Sequence, residues 1–360
     1  MNLSATNLAL HRLRNHRLLR TDLDRPEDVV SWLGAVQAQE YPDAKWGLGV
    51  RMKRTTDAAV EAAIDAGRIL RTHVLRATWH FVTPGDLRWM QALTAARVRA
   101  AMAPYDRKLE LDGRTIARSR TVIERALKGG RHLTRLEIAD ALAKAGIDAR
   151  GQRLAHLVMH AELDALICSG PRRGRHFTYA LVDERAPEGL RLSGDEALAE
   201  LTRRFFASHG PATIRDFAWW SSLTVRDAKR GLELLGKDVD AYTVDNVTHW
   251  WIPGAASPPV RRRMSIHLVP PYDEYLVAYR DRAFIVPAKR PVVTMSNETV
   301  SGILIDGRLA GFWKRSLDGA GARVYLRPFA HPTPEVREAL EKAVEGYSRF
   351  LGKPVAVSYR

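Results

Sequence analysis

Trp32-Leu33-Gly34-Ala35-Val36-Gln37-Ala38-Gln39-Glu40-Tyr41-Pro42 decides how the rest of the chain is read. Pro26 stands where a first helical residue would, and Val29, Trp32, Leu33 and Val36 follow at helical spacing. Pro42 should push Tyr41 out of the α region and end the run. On an intact helix Gln37 and Gln39 would point to different faces, whereas on extended chain they share one. If the helix unwinds near Val36, two uncharged carboxamides project side by side and Ala38 turns inward. The local sequence equally admits a polar helix end with two solvated glutamines.

The 360-residue chain is long enough for two or three domains, and 46% apolar content is that of a folded protein. No apolar run approaches a membrane span, and Met1 to Arg20 is basic and amphipathic without a signal core, so no export signal is expected. The single Cys168 excludes an internal disulfide framework and a cysteine zinc site, and suits a reducing cytoplasm. Lys and Arg outnumber Asp and Glu 56 to 41, a net charge of +15 spread along the chain and mostly arginine. Such a charge fits phosphate contacts and hence nucleic acid, although a high-GC genome, where arginine replaces lysine, would give the same surface.

Helix starts are marked by a hydroxyl residue with an acid three places on: Thr83/Asp86, Thr134/Glu137, Thr213/Asp216 and Thr224/Asp227. In residues 121–192 a helix near Val122–Leu127 leads to a helix from Thr134 to Ala145. A second helix, Gln152 to Leu163, and the strands Ala165–Cys168 and His176–Leu181 follow. The order is that of a winged helix, and the loop Ser169-Gly170-Pro171-Arg172-Arg173-Gly174-Arg175 would be its basic tip, meeting phosphates through Arg172, Arg173 and Arg175. Arg153, His156 and His160 should share the polar side of the second helix. The histidine pair has no third ligand in the sequence, so solvated or phosphate-facing rings are expected and no metal site.

Residues 193–256 repeat the order, with helices at Asp195–Ala207, Thr213 and Thr224 and a hairpin around Asp245-Asn246, a second winged helix. Its cluster Phe217, Trp219 and Trp220 is expected in the core. Residues 1–120 should hold a third, less regular unit carrying the glutamines. There Leu75 to Val82 alternates strictly, placing Arg76, Thr78 and His80 on one strand face, either a solvent-facing edge or the wall of a site. Pro258-Pro259 and Arg261-Arg262-Arg263 suggest a junction. From 257 to 360 a hairpin turning at Asp306-Gly307, a third strand after Asp318-Gly319 and a terminal helix from Thr333-Pro334 predict a small antiparallel, barrel-like unit. The expected class is thus mainly α with small β-units.

No glycine-rich phosphate loop, His-Glu-x-x-His, Cys-x-x-Cys or nucleophile elbow is present. Asp43, Asp273 and Glu274 are conceivable general bases, but no spacing singles them out.

Taken together, Val36-Gln37-Ala38-Gln39, Leu75-Arg76-Ala77-Thr78-Trp79-His80, Pro270-Pro271-Tyr272-Asp273-Glu274-Tyr275 with Tyr279-Arg280-Asp281-Arg282, and Gly311-Phe312-Trp313-Lys314-Arg315 resemble the winged-helix DNA glycosylases typified by AlkZ and YcaQ. Gln39, where the YcaQ branch has Asp, is similar to the AlkZ branch. The resemblance implies a monofunctional DNA repair glycosylase that removes N7-alkylated purines and sometimes unhooks interstrand crosslinks. Gln37 and Gln39 would be catalytic, Arg76, Thr78 and His80 would support the site, and Arg153, His156, Arg172, Arg173 and Arg175 would hold DNA. It also implies no cofactor, alkylated double-stranded DNA as partner, no membrane, a monomer, and a cytoplasmic, nucleoid-associated enzyme. The competing reading is a non-enzymatic tandem winged-helix DNA-binding or regulatory protein.

Overall fold

Helices dominate, and several small sheets are set among them. The computed structural model describes residues 5–19, 22–253, 264–286, 301–317 and 321–360. The expected junction at 258–263 and the turn at Asp318-Gly319 lie outside those residues. The chain divides into two compact units, one built from Met1–Glu61, Ala199–Trp220 and Thr224–Arg360, the other from Ala62–Leu198 with Ser221–Leu223.

In the first unit, the helix Pro26–Leu33 opens with proline in its first turn and stops where Gly34 takes φ 81°. That left-handed φ is open to glycine without a Cβ penalty, so the helix ends before Val36 rather than at Pro42. Pro42 instead lies in the first turn of a new helix, Tyr41–Gly49. An N–H missing there costs nothing, because that donor would have no intrahelical partner. Between the helices, Val36–Gln37 is extended.

Later in this unit the predicted boxes close. Thr213 N–H donates to Asp216 at 2.9 Å and Asp216 N–H to Thr213 Oγ1 at 3.1 Å. Thr224 and Asp227 reciprocate in the same way ahead of Val225–Leu235. The strands Asp240–Val244 and Val247–Trp251 turn through Asp245 and Asn246, both at positive φ. Phe217 and Trp220 are fully buried, but Trp219 is 49% exposed with its indole donating to Val277 O, so the aromatic cluster is core only in part.

The C-terminal sheet has five strands in the order Val355–Tyr359, Ala322–Pro328, Arg308–Leu317, Ser301–Ile305, Ile266–Val269. It does not close, which corrects the barrel-like expectation. The first two strands run parallel, and parallel neighbours need a crossover connection. The helix Pro334–Leu351 supplies it, burying Leu340, Val344, Tyr347 and Phe350.

In the second unit, Leu70–His73 pairs antiparallel with Trp79–Val82. The long helix Pro84–Lys108 follows, then Gly113–Leu127. Thr134 caps Arg135–Lys144 through the predicted capping box with Glu137. Gln152–Leu163 then leads into Ile167–Ser169 and Thr178–Leu181. Thr178–Leu181 is the central strand, pairing also with Leu133–Thr134. Ile123, Leu127, Ile138, Leu142, Leu157 and Ile167 form the core of this segment, each without measurable exposure. At Thr83 the hydroxyl donates to the Asp86 carboxylate instead of capping a backbone N–H.

Candidate active site

The extended backbone after Gly34 sorts the triplet by face. Ala35 and Ala38 have no exposure and Val36 has 4%, while Gln37 is half-buried and Gln39 exposed. Ala38 therefore anchors the segment to the core, and the more exposed Gln37 and Gln39 flank it, Gln37 on the extended pair Val36–Gln37 and Gln39 in the bend that follows.

What holds this backbone is a carboxylate far along the sequence. Gln37 N–H donates to Glu274 Oε1 at 2.8 Å, and the Trp220 indole N–H donates to Glu274 Oε2 at 2.9 Å. His209 Nε2 stands 3.5 Å from the same oxygen. Glu274 is 1% exposed, and an acid so buried persists only when hydrogen-bonded. Its neighbour Asp273 receives both terminal nitrogens of Arg51, each at 2.7 Å. Asp273 also accepts from Tyr275 N–H, capping the short helix Glu274–Val277. Tyr272 takes φ 58° just before them, a left-handed kink at the entry to this pair.

Around these acids the site is rigid. Arg51 Nε donates to His16 O at 2.9 Å, and the Tyr279 hydroxyl donates to His209 O at 2.7 Å while meeting His16 Nε2 at 2.8 Å. Burial, then the charges of His209, Arg51 and Arg12, hold the His16 pKa well below its ordinary value, so the ring is neutral. Burial pushes the Tyr279 hydroxyl well above its ordinary value. Arg12 lies 3.9 Å over the Tyr279 ring and donates to Pro211 O. Asp43, the other carboxylate considered from sequence, pairs with Arg315 at 2.8 Å.

The Arg76, Thr78 and His80 row is not a strand face. Only Trp79–Val82 is strand, because Leu75 takes φ 61° and residues 75–78 form bends. His80 is fully buried, which excludes the solvent-facing edge for it. The three residues still converge: Arg76 donates to His80 Nε2 at 3.2 Å, and His80 Nδ1 donates to Thr78 O at 2.9 Å.

Two of the residues expected on DNA are engaged internally. His156 and His160 both hydrogen-bond the Asp106 carboxylate, at 2.6 and 3.0 Å; His160 is buried rather than solvated, and His156 is partly buried. Arg153 donates to Asp148 O at 2.8 Å and to Leu109 O. Among the described residues, no group of three or more metal-ligating side chains could hold a metal ion. In the loop between the strands Ile167–Ser169 and Thr178–Leu181, Arg173 is tied to Glu137 at 2.7 Å, Arg172 donates to Arg175 O at 2.9 Å, and Arg175 is exposed.

Arg51 went unrecognised in the sequence, Trp220 was read only as core, and Glu274 only as a conceivable general base. The only signal pointing to Glu274 was its adjacency to Asp273 between Tyr272 and Tyr275, and the sequence gives no hint that it meets residue 37.

A family model described as DNA glycosylase AlkZ-like matches residues 30–350. The chain is 24% identical over 349 residues to the interstrand DNA cross-link repair glycosylase of Streptomyces sahachiroi, covering 92% of this chain and 91% of that one. The solved structure of Streptomyces sahachiroi DNA glycosylase AlkZ superposes with a TM-score of 0.83 at 21% identity, covering all of both chains. No helix among the described residues is long and apolar enough to cross a membrane.

Proposed function

Since the chain belongs to the AlkZ-like DNA glycosylase family and is a DNA glycosylase, we propose that it hydrolyses the N-glycosidic bond of purines made cationic by alkylation at N7. Interstrand crosslinks, the lesion named for its Streptomyces sahachiroi relative, are included. Gln37 and Gln39 carry the reaction. What supports this reading is the pinned triplet: Ala38 is buried, Gln37 N–H is held by the buried Glu274, and Gln37 and Gln39 are the more exposed residues on either side.

Neutral amides suit this chemistry. A purine alkylated at N7 already carries a positive charge and departs without a general acid. Charge then develops on the sugar as an oxocarbenium ion. A carboxamide oxygen stabilises that ion and holds the attacking water, and a pre-oriented dipole contributes about 2–4 kcal/mol. Glutamine is a poor base, so its contribution is placement rather than proton transfer. We read residues 121–192 and 193–256 as winged helices, residues 1–120 as the glutamine-bearing unit and 257–360 as the C-terminal β-unit. The substrate is double-stranded DNA, the enzyme acts as a monomer in the nucleoid, and Arg172 and Arg175 meet phosphates. Arg76, Thr78 and His80 act as a hydrogen-bonded support.

Incubation with duplex containing 7-methylguanine should leave abasic sites. Gln37→Ala and Gln39→Ala should each slow base release by about 10²–10³-fold while DNA binding persists. Base release at the parental rate in both variants rejects the assignment.

A further inference from the structure

A cleft of about 310 Å³ opens in the second unit beside the start of the helix Arg135–Lys144 and the strand Thr178–Leu181. Arg71, Arg135 and Arg175 line it together with Trp79, Leu136 and Phe177, and no described carboxylate does. The Arg71 guanidinium lies 4.3 Å from the Trp79 ring centre and 4.9 Å from that of Phe177. Arg172 caps Phe177 at 5.0 Å. Such cation–ring stacking fixes both partners.

Two features separate this cleft from the rest of the basic surface. Arg135 and Arg175 have no carboxylate partner among the described residues, whereas neighbouring Arg173 is paired with Glu137. Beside them, Leu136 is 71% and Phe177 36% exposed. A lone exposed leucine needs no explanation, but here exposed apolar faces share one concavity with unpaired cations. The arginines select an anion and the apolar faces select a flat, weakly hydrated group. A nucleotide joins both in one molecule. The volume is at the lower end of the roughly 300–1,000 Å³ typical of ligand pockets, which suits one nucleotide rather than a base pair.

We propose that this cleft binds an unpaired nucleotide of a nucleic-acid strand, with its phosphate on Arg135 and Arg175 and its base and sugar against Leu136 and Phe177. The proposal deepens the DNA-acting reading and is independent of the glutamine assignment, because it concerns undamaged strands and no base release. Flipped or frayed nucleotides are its natural occupants. Aromatic and apolar platforms accept any base, so sequence preference should be weak.

The full-length protein is titrated, by fluorescence anisotropy, into a labelled oligothymidylate and into an undamaged blunt duplex. Leu136→Ser and Phe177→Ser should each weaken single-strand binding at least about 5-fold and leave duplex affinity unchanged. Arg135→Ala with Arg175→Ala should weaken single-strand binding and flatten its salt dependence by roughly 0.7 per lost phosphate contact. The proposal is overturned if both serine variants bind the single strand as the parent does. Equal weakening of strand and duplex by the serine variants also overturns it, leaving a plain phosphate surface. Competition by polyglutamate as effective as by oligothymidylate would assign the cleft to acidic peptides instead. Thermal melts check folding, and if Phe177→Ser melts early, the exposed Leu136 carries the test alone.

Discussion

Arg51 and Arg175 carry the same charge in opposite settings. Arg51, 1% exposed, is spent inside the first unit on Asp273, Gly47 O and His16 O. Arg175, exposed on the loop before the strand Thr178–Leu181 in the second unit, has no carboxylate partner among the described residues. The first region builds a scaffold: every nitrogen of the guanidinium donates to a buried acceptor, and Asp273, which it holds, adjoins the Glu274 that accepts from Gln37 N–H. The second leaves its charge available to a ligand. A net charge of +15 therefore says little about where phosphate binds until the internal pairs are subtracted.

The largest effect that tests this contrast is Arg51→Ala. It strands Asp273 as an uncompensated buried charge and should cost about 3–5 kcal/mol in urea unfolding. A loss below about 1 kcal/mol would mean that the buried pair is not a scaffold.

Acid should act on the same unit. Burial, with the charge of Arg14, pushes the His11 pKa down to about 4 from its ordinary 6.5. The unfolded chain then binds a proton that the native state refuses as pH drops below 6.5. Stability is fully present above that pH and falls as pH approaches 4, by up to about 3 kcal/mol for this group. Urea midpoints at pH 7 and pH 4.5 measure it, and equal midpoints would contradict the neutral, buried ring.

Glu274→Gln probes the link from scaffold to chemistry. Its amide oxygen can still accept from one of the two donors, but the other meets an NH₂ group. Base release should fall about 10-fold, equivalent to about 1.4 kcal/mol, through kcat rather than KM. An unchanged kcat would show that the triplet backbone does not need this carboxylate.

The smallest expected effect is on the exposed side. Arg175→Ala should leave stability within about 0.5 kcal/mol while reducing the salt dependence of DNA binding. A destabilisation comparable to that of Arg51→Ala would abolish the distinction between the two regions.

Much of the local structure was legible in the sequence because its causes are local. The reciprocal bonds at Thr134/Glu137, Thr213/Asp216 and Thr224/Asp227 need only a hydroxyl and an acid three residues apart. The helix Gln152–Leu163 follows the 3.6-residue pattern of Leu154, Leu157, Val158 and Ala161. Asp306 and Gly307 turn as that pair does wherever positive φ is needed twice. The unwinding near Val36 was legible as a possibility, and Gly34 ends the helix there, leaving Val36–Gln37 extended. Family membership removed the non-enzymatic regulator, which the basic loop by itself could not do.

Tertiary structure decided the rest. Composition cannot say that Arg153 and His156 would turn inward, because Asp106 and the carbonyls of Leu109 and Asp148 reach them only once helices pack. Nor does alternation in Leu75–Val82 reveal that Leu75 would break the strand at φ 61°. The bond from Gln37 N–H to Glu274 spans 237 residues, and that from Arg51 to Asp273 spans 222. Periodicity fixes which face of an element is apolar, but a buried ion needs a specific counter-group, and only the folded chain selects which distant residue supplies it.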